Sequence, residues 1–184
     1  RPGQAPSELL ARAIAALDSV LVQERPDRVT VQGDTTTALA AALAAFHRRI
    51  PVAHVEAGLR TYRPTAPFPE ELNRRAIALA ADLHFAPAPS ARANLETERL
   101  HGELFVTGNS GIDALYHVVE RLEDEDLGAR IDAGLPMPLK GKLILATCHR
   151  RESFGAPFAG ICAALAELAT RGFEVVLPLH PNPA

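Results

Sequence analysis

The sequence predicts an α/β fold with parallel sheets, and three observations support this class. Short apolar runs alternate with segments of helical character along the 184 residues. These runs are apolar at nearly every position, as expected of strands covered by helices on both faces. A charged stretch rich in Gly and Pro interrupts the alternation at residues 123–142, after which it restarts. We therefore expect a domain at 1–122, a linker at 123–142 and the start of a second domain at 143–184.

Each element follows from local pattern. The first helix has Leu10, Ile14 and Leu17 on one face, and Ser7 is a suitable cap. A Pro followed by two acids predicts the start of a later helix at Pro69. The remaining boundaries come from the alternation itself. Strands are expected at 28–32, 52–56, 83–86, 104–108, 143–147 and 174–179, and helices at 35–48, 69–81, 90–99, 112–122 and 156–171.

Composition excludes several classes of protein. The formal net charge of −3 gives no electrostatic case for nucleic-acid binding. No apolar run reaches the roughly 20 residues of a membrane helix. Only Cys148 and Cys162 occur, which favours a reducing compartment, and we expect a cytoplasmic protein. The chain lacks an initiator Met and stops just after a strand, so we expect it to be truncated at both ends.

Charged residues follow several of the predicted strands. Asp34 and Glu56 each come directly after an apolar run, and Asn109 follows another. Ligands of open α/β sheets bind at the carboxyl ends of the strands, where neighbouring parallel strands finish together. The sequence therefore predicts that Asp34 and Glu56 share one crevice.

Each of these acids also has a purely structural explanation. Asp34 or Thr35 can cap the following helix, or the turn and helix start can bind an anion, and the sequence leaves both open. Glu56 can form an ion pair with Arg60 that holds a loop. Glu70 and Glu71 can simply complement the dipole of their helix, although the prolines before them would fix a catalytic acid in place.

A basic loop follows the strand at 143–147. His149, Arg150 and Arg151 precede a predicted helix start, and guanidinium groups in such a place suit phosphate. His180, at the next strand end, repeats the pattern with less weight. Metal-ligand spacings and the Gly-x-Gly-x-x-Gly fingerprint are absent from the sequence, so we expect neither a metal nor a dinucleotide cofactor.

Seven segments in order resemble the non-hydrolysing UDP-N-acetylglucosamine 2-epimerases over nearly the whole chain. They are "GDTTT", "HVEAGLRT", "PFPEELNR", "ADLHFAP", "FVTGNSGIDAL", "HRRESFG" and "HPNP". The resemblance implies two Rossmann-like domains of the glycosyltransferase-B type with the active site between them. It also implies a cofactor-free C2 inversion of UDP-GlcNAc to UDP-ManNAc, in a bacterial homodimer serving cell-wall polysaccharide synthesis.

The resemblance further assigns roles to individual residues. The family's catalytic positions fall on Asp34, Glu56, Glu70 and His149. Its substrate-binding positions suggest Thr35, Arg60, Asn109, Arg150, Arg151 and His180. Gln4 matches a position near the regulatory UDP-GlcNAc site of bacterial members, and Gly3 stands where some of them have Arg.

Two alternatives remain at this stage. One is a hydrolysing epimerase or a glycosyltransferase acting on a UDP-sugar, and the other is a non-catalytic nucleotide-sugar binding domain. The "GTRPE"-like start and the UDP-gripping C-terminal segment of the family are missing. We therefore expect this segment alone to bind UDP poorly.

Overall fold

The chain forms two compact units, residues 1–117 and 118–184. The structure, a computed structural model, describes residues 5–123, 125–134, 141–148 and 155–179. The boundary between the units lies inside a helix, a few residues before the domain end that the sequence predicts.

The first unit is built on one parallel sheet. Its strands are β1 (Val29–Gln32), β2 (Val52–Val55), β3 (Leu83–Ala86) and β4 (Glu103–Val106), and they lie in the order β1-β2-β3-β4. Each strand therefore lies beside its successor in the chain, and all three pairings are parallel. This confirms the predicted α/β class and places the carboxyl ends of all four strands at one edge.

Five helices belong to or begin in the part of this unit that the structure describes. They are α1 (Pro6–Glu24), α2 (Thr36–His47), α3 (Glu70–Ala80), α4 (Pro89–Thr97) and α5 (Ser110–Leu122). The predicted Ser7 cap of α1 is wrong, because the helix begins at Pro6 and the cap position is Ala5, two residues before Ser7. Proline fits the first turn of a helix, where its missing N–H is not needed. Pro6 can therefore start α1 on the N-terminal side of Ser7.

The core of the first unit lies where α2 packs on the sheet. Alanines dominate the buried face of α2, and their small side chains allow the helix to approach β1 and β2 closely. A second small cluster forms between α3 and α4. Buried apolar residues of the two clusters include Val31, Leu39, Ala42, Ala45, Val52, Ile77, Ala81, Ala57, Ala78 and Leu95.

The second unit repeats the strand–helix–strand pattern. It contains α6 (Glu125–Gly134), β5 (Lys142–Leu145), α7 (Ala156–Thr170) and β6 (Phe173–Val176), and β5 pairs with β6 in parallel. Helix α6 lies inside the predicted linker at 123–142, and the linker itself stays a prediction. None of the helices in the described ranges combines the length and apolar character that crossing a membrane requires.

Candidate active site

The register of β1 and β2 brings Asp34 and Glu56 to the same edge of the sheet. Gln32 lies opposite Val55, and the Gly33 N–H donates to the Val55 carbonyl at 3.0 Å. A Cβ placed on Gly33 would lie 3.6 Å from Oε2 of Glu56. The Glu56 carboxylate thus lies over the turn that leads into Asp34, and the predicted proximity of the two strand ends is confirmed.

Both turns adopt left-handed backbone conformations. Gly33 has φ of 70°, which glycine adopts without penalty, and Glu56 has φ of 67°. A residue with a Cβ rarely occupies this region, and such positions cluster at functional sites. The geometry turns the chain sharply at the end of β2, so that the Glu56 side chain faces the neighbouring strand end.

Helix α3 binds Asp34 through two side chains. Nδ2 of Asn73 donates to the Asp34 carbonyl at 2.9 Å, and Nη1 of Arg74 lies 3.3 Å from Oδ2 of Asp34. The Asp34 side chain remains 29% exposed, so solvent still reaches it. Asp34 is therefore held at both its backbone and its carboxylate while remaining accessible.

Glu71 anchors this network in the interior. Its side chain is fully buried, and it accepts hydrogen bonds from Nε of Arg74 at 2.7 Å and from the Thr61 and Tyr62 N–H groups at 3.0 and 2.9 Å. These contacts hold the pKa of Glu71 below its usual value even though burial opposes the charge. Glu71 thus acts as a buried anion that orients Arg74 and a loop, which is more than the helix-dipole role predicted from the sequence.

The pKa of Asp34 shifts in the opposite direction. Burial raises it, and the nearby Arg74 guanidinium counteracts part of that increase. The negative charge of Glu70, at the start of α3, raises it further. Glu70 therefore lies close enough to Asp34 for the two charges to interact, and a carboxyl with a raised pKa can hold or release a proton nearer to neutral pH.

Thr35 caps helix α2, as one of the two sequence interpretations proposed. Its Oγ1 accepts a hydrogen bond from the Ala38 N–H at 3.1 Å. The cap satisfies one N–H group at the helix start. A further role of Thr35 in substrate binding stays a prediction.

Arg60 does not pair with Glu56, so that prediction is wrong. The Arg60 guanidinium binds both carboxylate oxygens of Glu98 at 2.8 Å, and its Nη1 donates to the Leu59 carbonyl at 2.9 Å. The side chain is fully buried. A two-bond arginine–carboxylate pair across the fold is stronger than the local pair that sequence proximity suggested. Substrate binding by Arg60 stays a prediction.

Asn109 is a further predicted site residue within the described ranges. Oδ1 of Asn109 accepts the Gly111 N–H at 2.9 Å and so caps the start of α5, whereas its predicted substrate contact stays a prediction. The remaining candidates lie outside the described residues: Gln4, His149, Arg150, Arg151 and His180. Within the described ranges, no group of three or more His, Cys, Asp or Glu side chains could hold a metal ion.

A buried histidine also contacts the acid-bearing turn. His54 of β2 is fully buried, and its Nε2 lies 2.8 Å from the Gly33 carbonyl oxygen. The carbonyl can only accept, so Nε2 carries the proton. Burial lowers the pKa of His54 to about 4, and the ring is therefore neutral at pH 7.

Sequence reasoning missed three supporting residues, His54, Asn73 and Arg74, and gave Glu71 only a helix-dipole role. A signal existed for the pair of Glu71 and Arg74, which are an acid and a base three positions apart on one helix. A second signal was a histidine inside an otherwise apolar strand. Neither signal identifies the tertiary partners, which are Asp34 for Arg74 and Gly33 for His54.

Fold and site together define an α/β protein with a carboxylate cluster at the carboxyl edge of a parallel sheet. The model of the UDP-N-acetylglucosamine 2-epimerase family matches residues 1–184. The chain belongs to this family.

The chain spans about half the length of the curated relatives that it matches. It is 47% identical over its full length to the UDP-N-acetylglucosamine 2-epimerase of Salmonella typhimurium, and 46% identical to that of Escherichia coli K12. In both comparisons the chain spans 50% of the relative's length.

Solved structures agree with this assignment. The Neisseria meningitidis UDP-GlcNAc 2-epimerase bound to UDP-GlcNAc superposes with a TM-score of 0.94 at 42% identity, covering 100% of this chain and 50% of that one. The Methanocaldococcus jannaschii UDP-GlcNAc 2-epimerase, in complex with UDP-GlcNAc and UDP, gives a TM-score of 0.85 at 32% identity, covering 97% and 49%.

Proposed function

We propose that the protein containing this chain is a non-hydrolysing UDP-N-acetylglucosamine 2-epimerase that interconverts UDP-GlcNAc and UDP-ManNAc. The observation that carries the proposal is the cluster of Asp34, Glu56 and Glu70 at one edge of the sheet. Family membership supplies the substrate class. The bound UDP-GlcNAc of the Neisseria meningitidis relative supports the same nucleotide sugar.

The chemistry requires carboxylates close to C2 of the sugar. Removal of the C2 proton leaves an electron pair that forms a C1–C2 double bond, while the C1–O bond breaks and UDP departs. The intermediate is 2-acetamidoglucal. In the second half, UDP adds back to C1 and a proton is delivered to the opposite face of C2, which inverts that centre.

The three acids suit these proton transfers. Asp34 has a raised pKa and is reachable by solvent, so it can exchange a proton close to neutral pH. Glu56 lies beside the Gly33 turn, and Glu70 is close enough to influence Asp34. We assign proton transfer at C2 to this group of carboxylates as a whole.

The remaining roles follow from the family resemblance. We propose that His149 takes part in catalysis or contacts UDP. We propose that Arg150 and Arg151 lie near the diphosphate or near the regulatory UDP-GlcNAc site, because a diphosphate needs cationic partners. Thr35, Arg60, Asn109 and His180 are the proposed further substrate-binding positions. Gln4 is the proposed contact to a regulatory UDP-GlcNAc.

The test is deuterium exchange at C2 by the full-length protein. UDP-GlcNAc is incubated in heavy water and followed by proton NMR, together with the appearance of UDP-ManNAc. We expect loss of the C2 proton signal and both epimers at equilibrium. Binding of UDP-GlcNAc without exchange would contradict the proposal and indicate a non-catalytic binding domain.

The same samples separate the hydrolysing reaction from simple epimerisation. A non-hydrolysing enzyme leaves UDP attached to the sugar at equilibrium. Steady accumulation of free UDP together with free ManNAc would show that water, rather than UDP, adds to the intermediate. The homodimer implied by the resemblance is tested by sedimentation equilibrium of the full-length protein.

A further inference from the structure

Within the described residues, the backbone of the turn that carries Asp34 makes three hydrogen bonds to groups outside its own strand. The Gly33 N–H donates to Val55 and the Gly33 carbonyl accepts from His54, while the Asp34 carbonyl accepts from Asn73. Two of these bonds come from β2, the strand that Glu56 directly follows. The position of Asp34 relative to Glu56 is therefore set largely by β2.

His54 is the only side chain of β2 that reaches this turn among the described hydrogen bonds. Glu56 directly follows β2 and lies two residues after His54, so only Val55, the last residue of the strand, separates the histidine from the acid. The bond from Nε2 to Gly33 is 2.8 Å long, within the range of a good hydrogen bond. A buried donor of this kind also satisfies a carbonyl that would otherwise lose its partner.

The second ring nitrogen of His54, Nδ1, binds no other group within the described residues. Nδ1 of His54 is buried and has no hydrogen-bond partner there. The cost of burying an unpaired ring nitrogen indicates that the Gly33 bond, rather than general packing, explains a histidine at this position. An apolar residue of similar size would avoid that cost.

We propose that His54 is a positioning residue, which sets the distance between the Asp34 and Glu56 carboxylates by donating its Nε2–H to the Gly33 carbonyl. This inference rests on the proposed function. His54 contacts the Gly33 carbonyl rather than a reacting atom, and it acts through the turn. Losing the bond would let the Gly33–Asp34 turn move relative to the end of β2, and a small displacement of a catalytic carboxylate lowers the rate of the chemical step.

The structure offers a matched control in His84. It lies directly opposite His54 in the β2–β3 pairing, is also fully buried and also has an unpartnered Nδ1 within the described residues. Its Nε2 lies 3.1 Å from the His101 carbonyl, in the segment before β4, so it is not linked to the acid turn. The two histidines share burial and chemistry and differ in the backbone group that they hold.

The experiment measures kcat and KM for epimerisation, and C2 exchange, in the full-length protein. We expect His54→Leu to lower kcat about 10- to 100-fold with KM changed by less than about threefold, the pattern of lost preorganisation. His84→Leu should keep kcat within about threefold. Equal losses of kcat in the two variants, or a wild-type kcat in His54→Leu, would overturn the proposal.

A second pair of variants covers the case in which His54→Leu fails to fold. The amide nitrogen of Gln reaches roughly the place of Nε2, whereas that of Asn reaches only as far as Nδ1. We expect His54→Gln to retain most of kcat and His54→Asn to lose it. Equal kcat in these two variants would overturn the positioning role. Absence of C2 exchange in the wild-type protein would instead reject the proposed function, so the two failures are distinguishable.

Discussion

Arg74 joins the accessible carboxylate of Asp34 to the buried carboxylate of Glu71. Its Nη1 lies 3.3 Å from Oδ2 of Asp34, and its Nη2 lies 2.6 Å from Oε2 of Glu71. The shorter contact is with the residue that solvent does not reach. The buried Glu71 carboxylate therefore holds the Arg74 guanidinium in place. The guanidinium in turn keeps a positive charge beside the Asp34 carboxylate at the edge of the sheet.

Replacing Arg74 by Met should destabilise the protein by about 3 kcal/mol, because the buried Glu71 would lose its cation. Chemical denaturation of the full-length protein measures this change. Arg92→Met is the control, since Arg92 pairs with Glu96 at 2.8 Å on an exposed helix surface, and it should cost less than about 1 kcal/mol. Similar losses in both variants would contradict the proposed burial effect.

In the full-length protein, Asp34→Asn and Glu56→Gln should each lower kcat for epimerisation by about two or more orders of magnitude. This is the scale of a lost general acid or base. Substrate binding, followed by calorimetry, should change much less. Asp27→Asn is a matched control, because Asp27 is exposed and precedes β1 whereas Asp34 follows it. Near-normal turnover in both acid variants would reject the assignment of proton transfer to these carboxylates.

The free energy of unfolding should decrease as the pH is lowered, before the carboxylates of the protein titrate. Burial lowers the pKa of His54 to about 4 from 6.5 and also lowers that of His84. The unfolded chain thus binds protons that the folded chain excludes. The contribution of these neutral histidines to the free energy of unfolding is fully present above about pH 6.5, and it is lost as the pH falls toward 4. For His54 the loss amounts to about 3 kcal/mol across that interval.

Urea unfolding between pH 7 and 4.5 tests this expectation. The pKa of Glu71 and of Glu98 is lowered, so their contribution is lost mainly below pH 4.5 and does not explain a decline in this interval. We expect a clearly shallower pH dependence in His54→Gln than in the wild type. Parallel curves for the two proteins would show that His54 does not remain neutral in the folded state.

Gly58→Ala should destabilise the fold strongly, by several kcal/mol. Gly58 has φ of 89°, and an added Cβ would overlap the backbone carbonyl of Ala91 at the start of α4. Gly160→Ala provides the opposite case, since Gly160 lies in helix α7 with open space around it. That change should stabilise the protein by about 0.5–1 kcal/mol. Thermal unfolding of the two variants compares them directly.

The sequence by itself predicted the secondary structure and the edge at which the acids meet. Apolar runs and helical periodicity indicate which faces of a segment become buried, and this pattern can be seen within the segment itself. For this reason β3 was predicted at its observed bounds of Leu83–Ala86. The strand-end position of Asp34 and Glu56 follows from chain order in a parallel sheet, which needs no coordinates. One prediction failed where neighbouring propensities compete, at the Ser7 cap.

Only the tertiary structure decided which charged groups are paired. Arg60 lies four positions from Glu56 in the chain, yet it binds Glu98, and Arg74 reaches Asp34 across 40 residues of sequence. The same holds for the bond from His54 to Gly33. Buried hydrogen bonds and ion pairs depend on distances set by the packing of several elements at once, and spacing along a chain does not encode those distances.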